Sequence, residues 1–340
     1  MNVKIILSFI IPTYNRVGLL ETTVDCFVKQ IIDGGLEDMV EILIGNDGSK
    51  DKTSEYVNKV VKEHKFIRGW NYEKNIGMSG GIEFLVKESL GEYILIGGDD
   101  DLLRDGAIAY FIKCILEKKP NFILINTSNI FSLDESNRKI KIDRENRLEI
   151  NHDIFVENFQ KEYKKLEEAH NWIYLTNLLP AVISRKDLYQ KELTTAKKYL
   201  RPENLYLWQG QVIIGISKYG RFLVIADCFI LHRKNETSWT HDKRSVVFFD
   251  IFDTVELSRL IKDYMPGEYK RYKKIYATFT MGGLLADTER GRDIRKLAWS
   301  ALLRNLDCFP ENIQFLSMVL APRFINKISP KLRSYKNLLK

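Results

Sequence analysis

The feature that most constrains this chain is a repeated change of period in its first half. Short, wholly apolar runs alternate with stretches whose apolar residues return every three or four positions. LSFIIPT (7–13) reads as a buried strand, and Leu19, Leu20, Thr23, Val24, Phe27, Val28 and Ile31 then recur at helical spacing. VEILIGND (40–47) reads as a second strand ended by a Gly-Ser turn, and Asp51 followed by Tyr56, Val57, Val60 and Val61 starts a second helix. A third helix over 79–90, a third strand EYILIGG (92–98), a fourth helix from Asp105 to Lys118 and a fourth strand NFILINT (121–127) continue the pattern. Strands separated by helices predict parallel β-α-β units with right-handed crossovers, an α/β fold.

In open sheets of this kind, ligands bind beyond the carboxyl ends of the strands. The segments found there are PTYNR (12–16), NDGSKD (46–51) and GGDDD (97–101), all polar and all following apolar runs. The last is the most demanding, because three adjacent carboxylates repel one another unless a cation or solvent offsets them. Mg²⁺ and Mn²⁺ favour one or two carboxylates together with substrate phosphates. The bland alternative is a solvated acidic turn capping the helix that starts near Asp105.

Taken in order, IIPTYNR, ILIGNDGSKD and NIGMSGGIEFLVKESLGEYILIGGDDDLL resemble the family 2 glycosyltransferases of the GT-A fold. That family's pattern is a strand ending in PTYNR, a strand ending in DDGSxD, an NxGxxxARN helix start and a GEYIxFLDxDD strand. The resemblance covers about the first 130 residues. It implies a Rossmann-like, mostly parallel sheet flanked by helices and a nucleotide-sugar donor, expected to be a UDP-sugar. It further implies that Pro12, Thr13, Tyr14 and Arg16 line the nucleotide pocket with Asp99, and that Asp47 hydrogen-bonds the base. A carboxylate at that position can accept from a uracil N3–H. Asn75 and Gly77 would start the helix beside the sugar-nucleotide. Asn46, Gly48 and Ser49 are also accounted for as turn residues at a strand end.

Two departures from the family pattern stand out. Aligning DDLLRDG (100–106) with the family's DDxxxPG puts Gly98 at the first Asp of DxD, Asp99 at the variable middle and Asp100 at the second, the usual metal ligand. A different register reads Asp99 and Asp101 as the DxD. Abequosyltransferase-like enzymes of bacterial surface polysaccharides resemble this chain in having a small residue before DDD. The second departure concerns the base that deprotonates the acceptor hydroxyl. The family's Glu-Asp pair, about 11 residues before a glycine that precedes the last sheet strand, falls on Trp208 and Gln209 when counted back from Gly220. Gln cannot act as a base near neutral pH. Glu203 is the nearest carboxylate and the first candidate for the base, with Asp101 and Asp227 next; Glu203 also reads as a surface residue at a helix start. Trp208 and Gln209 are left as acceptor-site residues, with Trp208 stacking on a sugar or simply buried.

His232 follows the strand FLVIADCFIL and, by the resemblance, would complete the shell of a Mn²⁺ or Mg²⁺ ion on Asp100. Arg233 or Lys234 would hold the diphosphate. The implied reaction is attack of an acceptor hydroxyl on the sugar C1, with inversion, the negative leaving group being stabilised by the cation and a basic side chain. A nucleotidyltransferase also uses aspartates on an α/β sheet, but that class usually shows a GxGxR-type loop after its first strand, and PTYNR is not one. A catalytically silent nucleotide-sugar or glycan-binding module stays open because of Gly98 and Gln209.

The middle of the chain, roughly 130–200, is charged and weakly periodic. SNRKIKIDRENRLEINHD reads as a surface excursion, with a helix from Phe155 to Ala169 after it. Beyond Asn235, helical patterns cover Val246 to Met265, Tyr269 to Ala286 and Asp293 to Leu306. The division expected is a catalytic domain over 1–235 and a helical region over 236–340. Residues 321–340 carry six basic residues and no acid, against a net charge of +7 for the whole chain. Leu332, Tyr335 and Leu339 fall on one helical face among them, which resembles an interfacial amphipathic helix. The expected partners are therefore the donor, a glycan or lipid-linked oligosaccharide acceptor and an anionic membrane surface, with nucleic acid not among them. Nothing chooses an oligomeric state.

Cys26, Cys114, Cys228 and Cys308 form no CxxC pair, which fits a reducing compartment. The apolar stretch IILSFII near the start lacks a small-residue cleavage site, and no run approaches the roughly 18 apolar residues of a membrane span. A cytoplasmic protein, peripheral at the inner face of the plasma membrane, is expected.

Overall fold

The computed structural model describes residues 4–134, 139–144, 148–169, 172–176, 178–202, 204–233, 246–274, 276–277, 299 and 302–303. The chain separates into two compact units, Met1–Glu236 and Thr237–Lys340.

The first unit is built on one sheet. Its strands are β1 (Leu7–Thr13), β2 (Val40–Asn46), β3 (Ile67–Asn71), β4 (Tyr93–Ile96), β5 (Leu102–Leu103), β6 (Phe122–Asp134), β7 (Lys139–Arg144), β8 (Ile154–Val156), β9 (Val182–Arg185) and β10 (Phe222–Arg233). Their order is β3-β2-β1-β4-β9-β6-β10-β5, with β7 on β6 and β8 on β10. The first four strands of that path are parallel; β1, β2 and β4 are strands the alternating pattern predicts, whereas β3 is one it does not. The crossovers are α1 (Val17–Asp33), α2 (Thr53–Glu63) and α3 (Gly77–Glu88), and α4 (Ala107–Lys118) follows β5. β1 and β2 are buried along almost their whole length, which is why their sequence lacks the alternation of a one-sided strand. Leu20, Val24, Phe27 and Ile31 of α1 form the stripe that covers one face, with the Phe27 ring 4.8 Å from that of Phe9.

The second half of the sheet departs from a purely parallel plan. β9 enters antiparallel between β4 and β6, and β6 pairs in parallel with β10. Val182 and Ile183 are buried there, so a four-residue strand fills the slot between the two halves. α5 (Leu207–Tyr219) meets the sheet at Phe122 of β6 and is buried from Leu207 to Ser217, which explains its weak one-sided periodicity. A Cβ at Gly215 would stand 2.3 Å from Cζ of Phe122, so this helix approaches the sheet only with glycine at that position.

Two expectations are corrected. The segment expected to be a helix from Phe155 to Ala169 begins as β8, paired with Phe222 to Val224 of β10. Asn158 then caps a short helix, Phe159–Glu162, its side chain accepting from Lys161 N at 3.1 Å, and a 3₁₀ turn Tyr163–Glu167 follows. Strand pairing and a cap have divided what periodicity alone ran together. The excursion before it contains β7, antiparallel to β6, and Asp153, which binds Tyr110 Oη at 2.8 Å and Ala226 N at 3.0 Å.

In the second unit, α6 (Val246–Tyr264) buries Val255, Leu257, Leu260 and Ile261, and residues 266–274 are also helical. The basic tail, Glu203, Lys234 and Cys308 lie outside the described residues. Among the described residues, no helix is long and apolar enough to cross a membrane, and Cys26 and Cys114 are free thiols.

Candidate functional site

Parallel register decides which residues meet. Ile10 pairs with Ile96, and Gly97 N extends that ladder to Ile10 O at 2.8 Å. Three residues further along each strand, Thr13 Oγ1 donates to Asp99 Oδ2 at 2.7 Å. On the other side, Thr13 pairs with Asn46 and its carbonyl accepts from Asp47 N at 2.9 Å. The three polar exits thus share one edge.

The loops after β1 and β2 are locked together by Asn15. Its φ of 53° lies in the left-handed region, where asparagine is among the residues best tolerated. There its N–H donates to Ser49 Oγ at 2.8 Å and its Oδ1 accepts from Lys50 N at 2.7 Å. Asn46 holds the same turn, accepting from Ser49 N at 3.2 Å while donating to Ser54 Oγ and Asn71 Oδ1. Arg16, the residue preceding α1, is thereby presented from a fixed backbone. Pro12 is half-buried, whereas Tyr14 is 42% exposed.

Asp47 is buried and holds the start of α3: Oδ1 accepts from Ile76 N at 2.7 Å and Oδ2 from Gly77 N at 3.1 Å. Gly77 has φ +78°, and Asn75 Oδ1 also accepts from its N–H at 3.1 Å. Each Asp47 oxygen keeps a second lone pair. Close by is a residue the sequence did not single out. The Tyr72 hydroxyl is buried without a hydrogen-bond partner, and burial together with the Asp47 charge pushes its pKa up to about 12. Its signal was the alternation of Arg68, Trp70 and Tyr72 along and just past β3.

The aspartates divide the available partners. Asp99 receives Thr13 and Arg16 Nη1, the latter at 2.6 Å, and its carbonyl accepts from Thr23 Oγ1 at 3.1 Å. Asp100 Oδ2 receives Arg16 Nη2 at 2.5 Å. Asp101 Oδ1 meets His232 Nδ1 at 2.6 Å, because Leu102 and Leu103 of β5 pair antiparallel with Leu231 and Ile230 of β10. Burial, with Asp100 and Asp101 adding to it, pushes Asp99 up to about 7 against the opposing pull of Arg16 and Thr13. Asp100 is also raised, by burial and by Asp101, with Arg16 and His232 opposing. Burial works to lower the Arg16 pKa, but Asp99 and Asp100 overcome it and hold the guanidinium above its ordinary value.

Gly98 has a steric reason. A Cβ there would stand 2.5 Å from Asp101 Oδ2 and 2.7 Å from Asp100 Oδ1. Both carboxylates fold back over the space that the side chain of the family's first aspartate would enter.

The donor chemistry fits a hard divalent cation. Asp100 is the more exposed of the two aspartates that Arg16 bridges, with 15% side-chain exposure against 4% for Asp99, and it lies beside Asp101 and His232. Among the described residues, no three His, Cys, Asp or Glu side chains form a metal-binding group by themselves.

Other expected site residues are placed differently. Trp208 is 4% exposed and Gln209 fully buried, with Nε2 donating to Thr176 Oγ1 at 2.8 Å and Oε1 lacking a partner. Asp101 is buried against His232, a poor setting for a base that must reach an acceptor hydroxyl. Asp227 is exposed, at an irregularity of β10. The backbone of Arg233 ends β10.

Comparison with known proteins gives a consistent picture. A family model described as glycosyl transferase family 2 matches residues 8–177, half of the chain. Glycosyltransferase GlyG of Streptococcus pneumoniae serotype 4 is 22% identical over 317 residues, covering 88% of this chain and 98% of that protein. The GalNAc(5)-diNAcBac-PP-undecaprenol beta-1,3-glucosyltransferase of Campylobacter jejuni is 30% identical over 130 residues, covering 34% of this chain and 40% of that protein's length. Among solved structures, S. aureus TarS 1–349 in complex with UDP superposes with a TM-score of 0.60 at 15% identity, covering 98% of this chain and 87% of that one. The mannosyltransferase PcManGT of Pyrobaculum calidifontis, in complex with GDP-Man and Mn²⁺, gives a TM-score of 0.50 at 13% identity, covering 94% and 88%.

Proposed function

Because the chain belongs to glycosyl transferase family 2 and has the GT-A fold, we propose that it is a metal-dependent, inverting transferase that moves a sugar from a UDP-sugar to a glycan or lipid-linked acceptor in bacterial surface polysaccharide synthesis. The observation that carries this reading is the convergence of three strand exits, in which Thr13 and Arg16 both bind Asp99 while Asp47 is tied to Thr13. UDP as the nucleotide is supported by the UDP and UDP-GlcNAc complexes of S. aureus TarS. A lipid-linked acceptor is supported by the name of the Campylobacter jejuni relative.

The roles follow from the chemistry of each group. Asp47 accepts the uracil N3–H on a lone pair not used by Ile76 and Gly77, with Pro12, Thr13 and the exposed Tyr14 ring beside it. Asn75 and Gly77 start α3 next to the sugar-nucleotide. Asp100 and His232 hold Mn²⁺ or Mg²⁺, Asp101 orienting the imidazole through Nδ1. A cation bound there supplies positive charge to the diphosphate as it leaves. Arg233 and Lys234 meet the diphosphate oxygens. Glu203 takes the proton of the acceptor hydroxyl, which attacks sugar C1 in line. Residues 1–235 carry this chemistry, and the basic tail within 236–340 docks on the anionic inner face of the plasma membrane.

The test is nucleotide release from a panel of UDP-, dTDP-, GDP- and CDP-sugars with Mn²⁺ or Mg²⁺, with and without lipid-linked oligosaccharide. Release from a UDP-sugar that rises with acceptor supports the assignment. Binding of nucleotide-sugar with no release from any donor would replace it with a silent binding module. Release that survives in Glu203→Gln but not in Asp100→Ala rejects Glu203 as the base and keeps the metal.

A further inference from the structure

Arg16 uses two different nitrogens on two different carboxylates: Nη1 on Asp99 at 2.6 Å and Nη2 on Asp100 at 2.5 Å. The two ends of this bridge are not equivalent. Asp99 is sealed in, with 4% side-chain exposure, and takes a second bond from Thr13; Asp100 is 15% exposed. A guanidinium fork can release one carboxylate and keep the other, which a lysine ammonium cannot do in the same geometry. The backbone beneath it is fixed by Asn15 against Ser49 and Lys50, so exchange of partners falls to the side chain.

Resting on the metal-dependent reading above, we propose that Arg16 is a displaceable counter-cation: it occupies Asp100 until a nucleotide diphosphate arrives, and so makes cation binding depend on the nucleotide. Arg16 takes one of the two Asp100 oxygens, and two positive charges on one carboxylate repel. Arg16 therefore competes with the cation when no nucleotide is present. A diphosphate brings negative charge that can receive the released Nη2 arm while Nη1 stays on Asp99. Cation and nucleotide binding become coupled, and by linkage each strengthens the other to the same degree. Such a device keeps three adjacent carboxylates from collecting a cation without a donor. Arg16 on this view has two tasks, holding Asp100 before the nucleotide arrives and meeting the diphosphate afterwards.

Mn²⁺ binding to the full chain, followed by loss of the free-ion EPR signal with and without UDP, tests this directly. The wild type should bind Mn²⁺ weakly alone and far more tightly with UDP. Arg16→Gln should tighten Mn²⁺ binding in the absence of UDP by about tenfold, the effect expected from removing one charge-assisted competitor. The gain that UDP confers should shrink in the same variant. Arg16→Lys, which keeps the charge but loses the fork, should lie between the two and covers the case in which the glutamine variant does not fold. Unchanged or weaker Mn²⁺ binding without UDP in both folded variants, with the wild type still forming a Mn²⁺–UDP complex, overturns the role of Arg16 alone. A wild type that takes up neither Mn²⁺ nor Mg²⁺ even with UDP overturns the metal reading, and this inference with it.

Discussion

Asp101 and His232 are 131 residues apart in the chain, and their side chains meet at 2.6 Å because the two-residue strand β5 pairs antiparallel with the end of β10. The acidic run is therefore closed on one side by the last strand of the sheet. Supporting partners of metal-binding histidines commonly matter by about 10–100-fold. Asp101→Asn should lower turnover by that order, and His232→Gln should lower it similarly. In the double variant the losses should not add. Additive losses in nucleotide-release assays would mean that the two residues act separately.

The space at Gly98 yields a steric prediction. A Cβ at that position must move the carboxylates of both Asp100 and Asp101. Gly98→Ala should destabilise the protein by about 1–3 kcal/mol, the usual range for overpacking, and weaken Mn²⁺ binding in the presence of UDP. Gly98→Asp, although it restores the family's residue, should do worse. A urea midpoint and Mn²⁺ affinity equal to wild type in Gly98→Ala would show that the carboxylates rearrange without cost.

Asp47 carries a structural and a proposed recognition task, and these can be separated. Asp47→Ala leaves the Ile76 amide without its acceptor and the Gly77 amide with Asn75 Oδ1 alone, and should cost about 1–2 kcal/mol, as loss of a helix cap does. Asp47→Asn keeps one acceptor oxygen and offers an NH₂ donor, so it should retain more stability and shift nucleotide preference from UDP toward CDP, whose base accepts at N3. Calorimetric titration with both nucleotides reads this out; an unchanged UDP to CDP ratio would confine Asp47 to holding α3.

A pH dependence follows from Asp99. In the fold its proton is held to about pH 7, against an ordinary value of 3.8. Below the unfolded value both states are protonated and the stabilisation is complete. As pH rises from the unfolded value to the folded one, the unfolded chain ionises while burial, with Asp100 and Asp101 beside it, keeps the folded carboxyl protonated, and that stabilisation is lost. Asp99→Asn should flatten stability between about pH 4 and 7, removing a slope of up to about 1.4 kcal/mol per pH unit. Urea unfolding across that range, without metal or nucleotide, compares the two slopes, and identical slopes would contradict the assignment.

Ending the chain after Asn326 removes Lys327, Lys331, Arg333, Lys336 and Lys340. Flotation with vesicles rich in anionic lipid should fall sharply in the shortened chain and, for the full chain, with rising salt. Equal flotation of both forms would remove the tail from membrane binding.

Much of the first half was legible in advance. LSFIIPT is β1 from end to end, VEILIGND differs from β2 by one residue, and the stripe in 17–33 is the buried face of α1. The polar exits were legible for the same reason: a switch from apolar to polar residues marks where a strand leaves the core. Legibility fails where pairing is remote. VISR gave little sign that it would enter the sheet as β9, and nothing local in Gln209 revealed that it is buried against Thr176.

The sequence by itself determined the α/β class, the family and the chemical character of the three exits, because strand and helix periods and motif order are written in consecutive residues. Only the tertiary structure decided that Arg16 bridges Asp99 and Asp100, that Asp101 belongs to His232, and that Asp47 is held against α3. Those partners are selected by sheet register and by competition among nearby charges for a limited set of hydrogen bonds in a buried space, and neither is encoded in any single stretch of the chain.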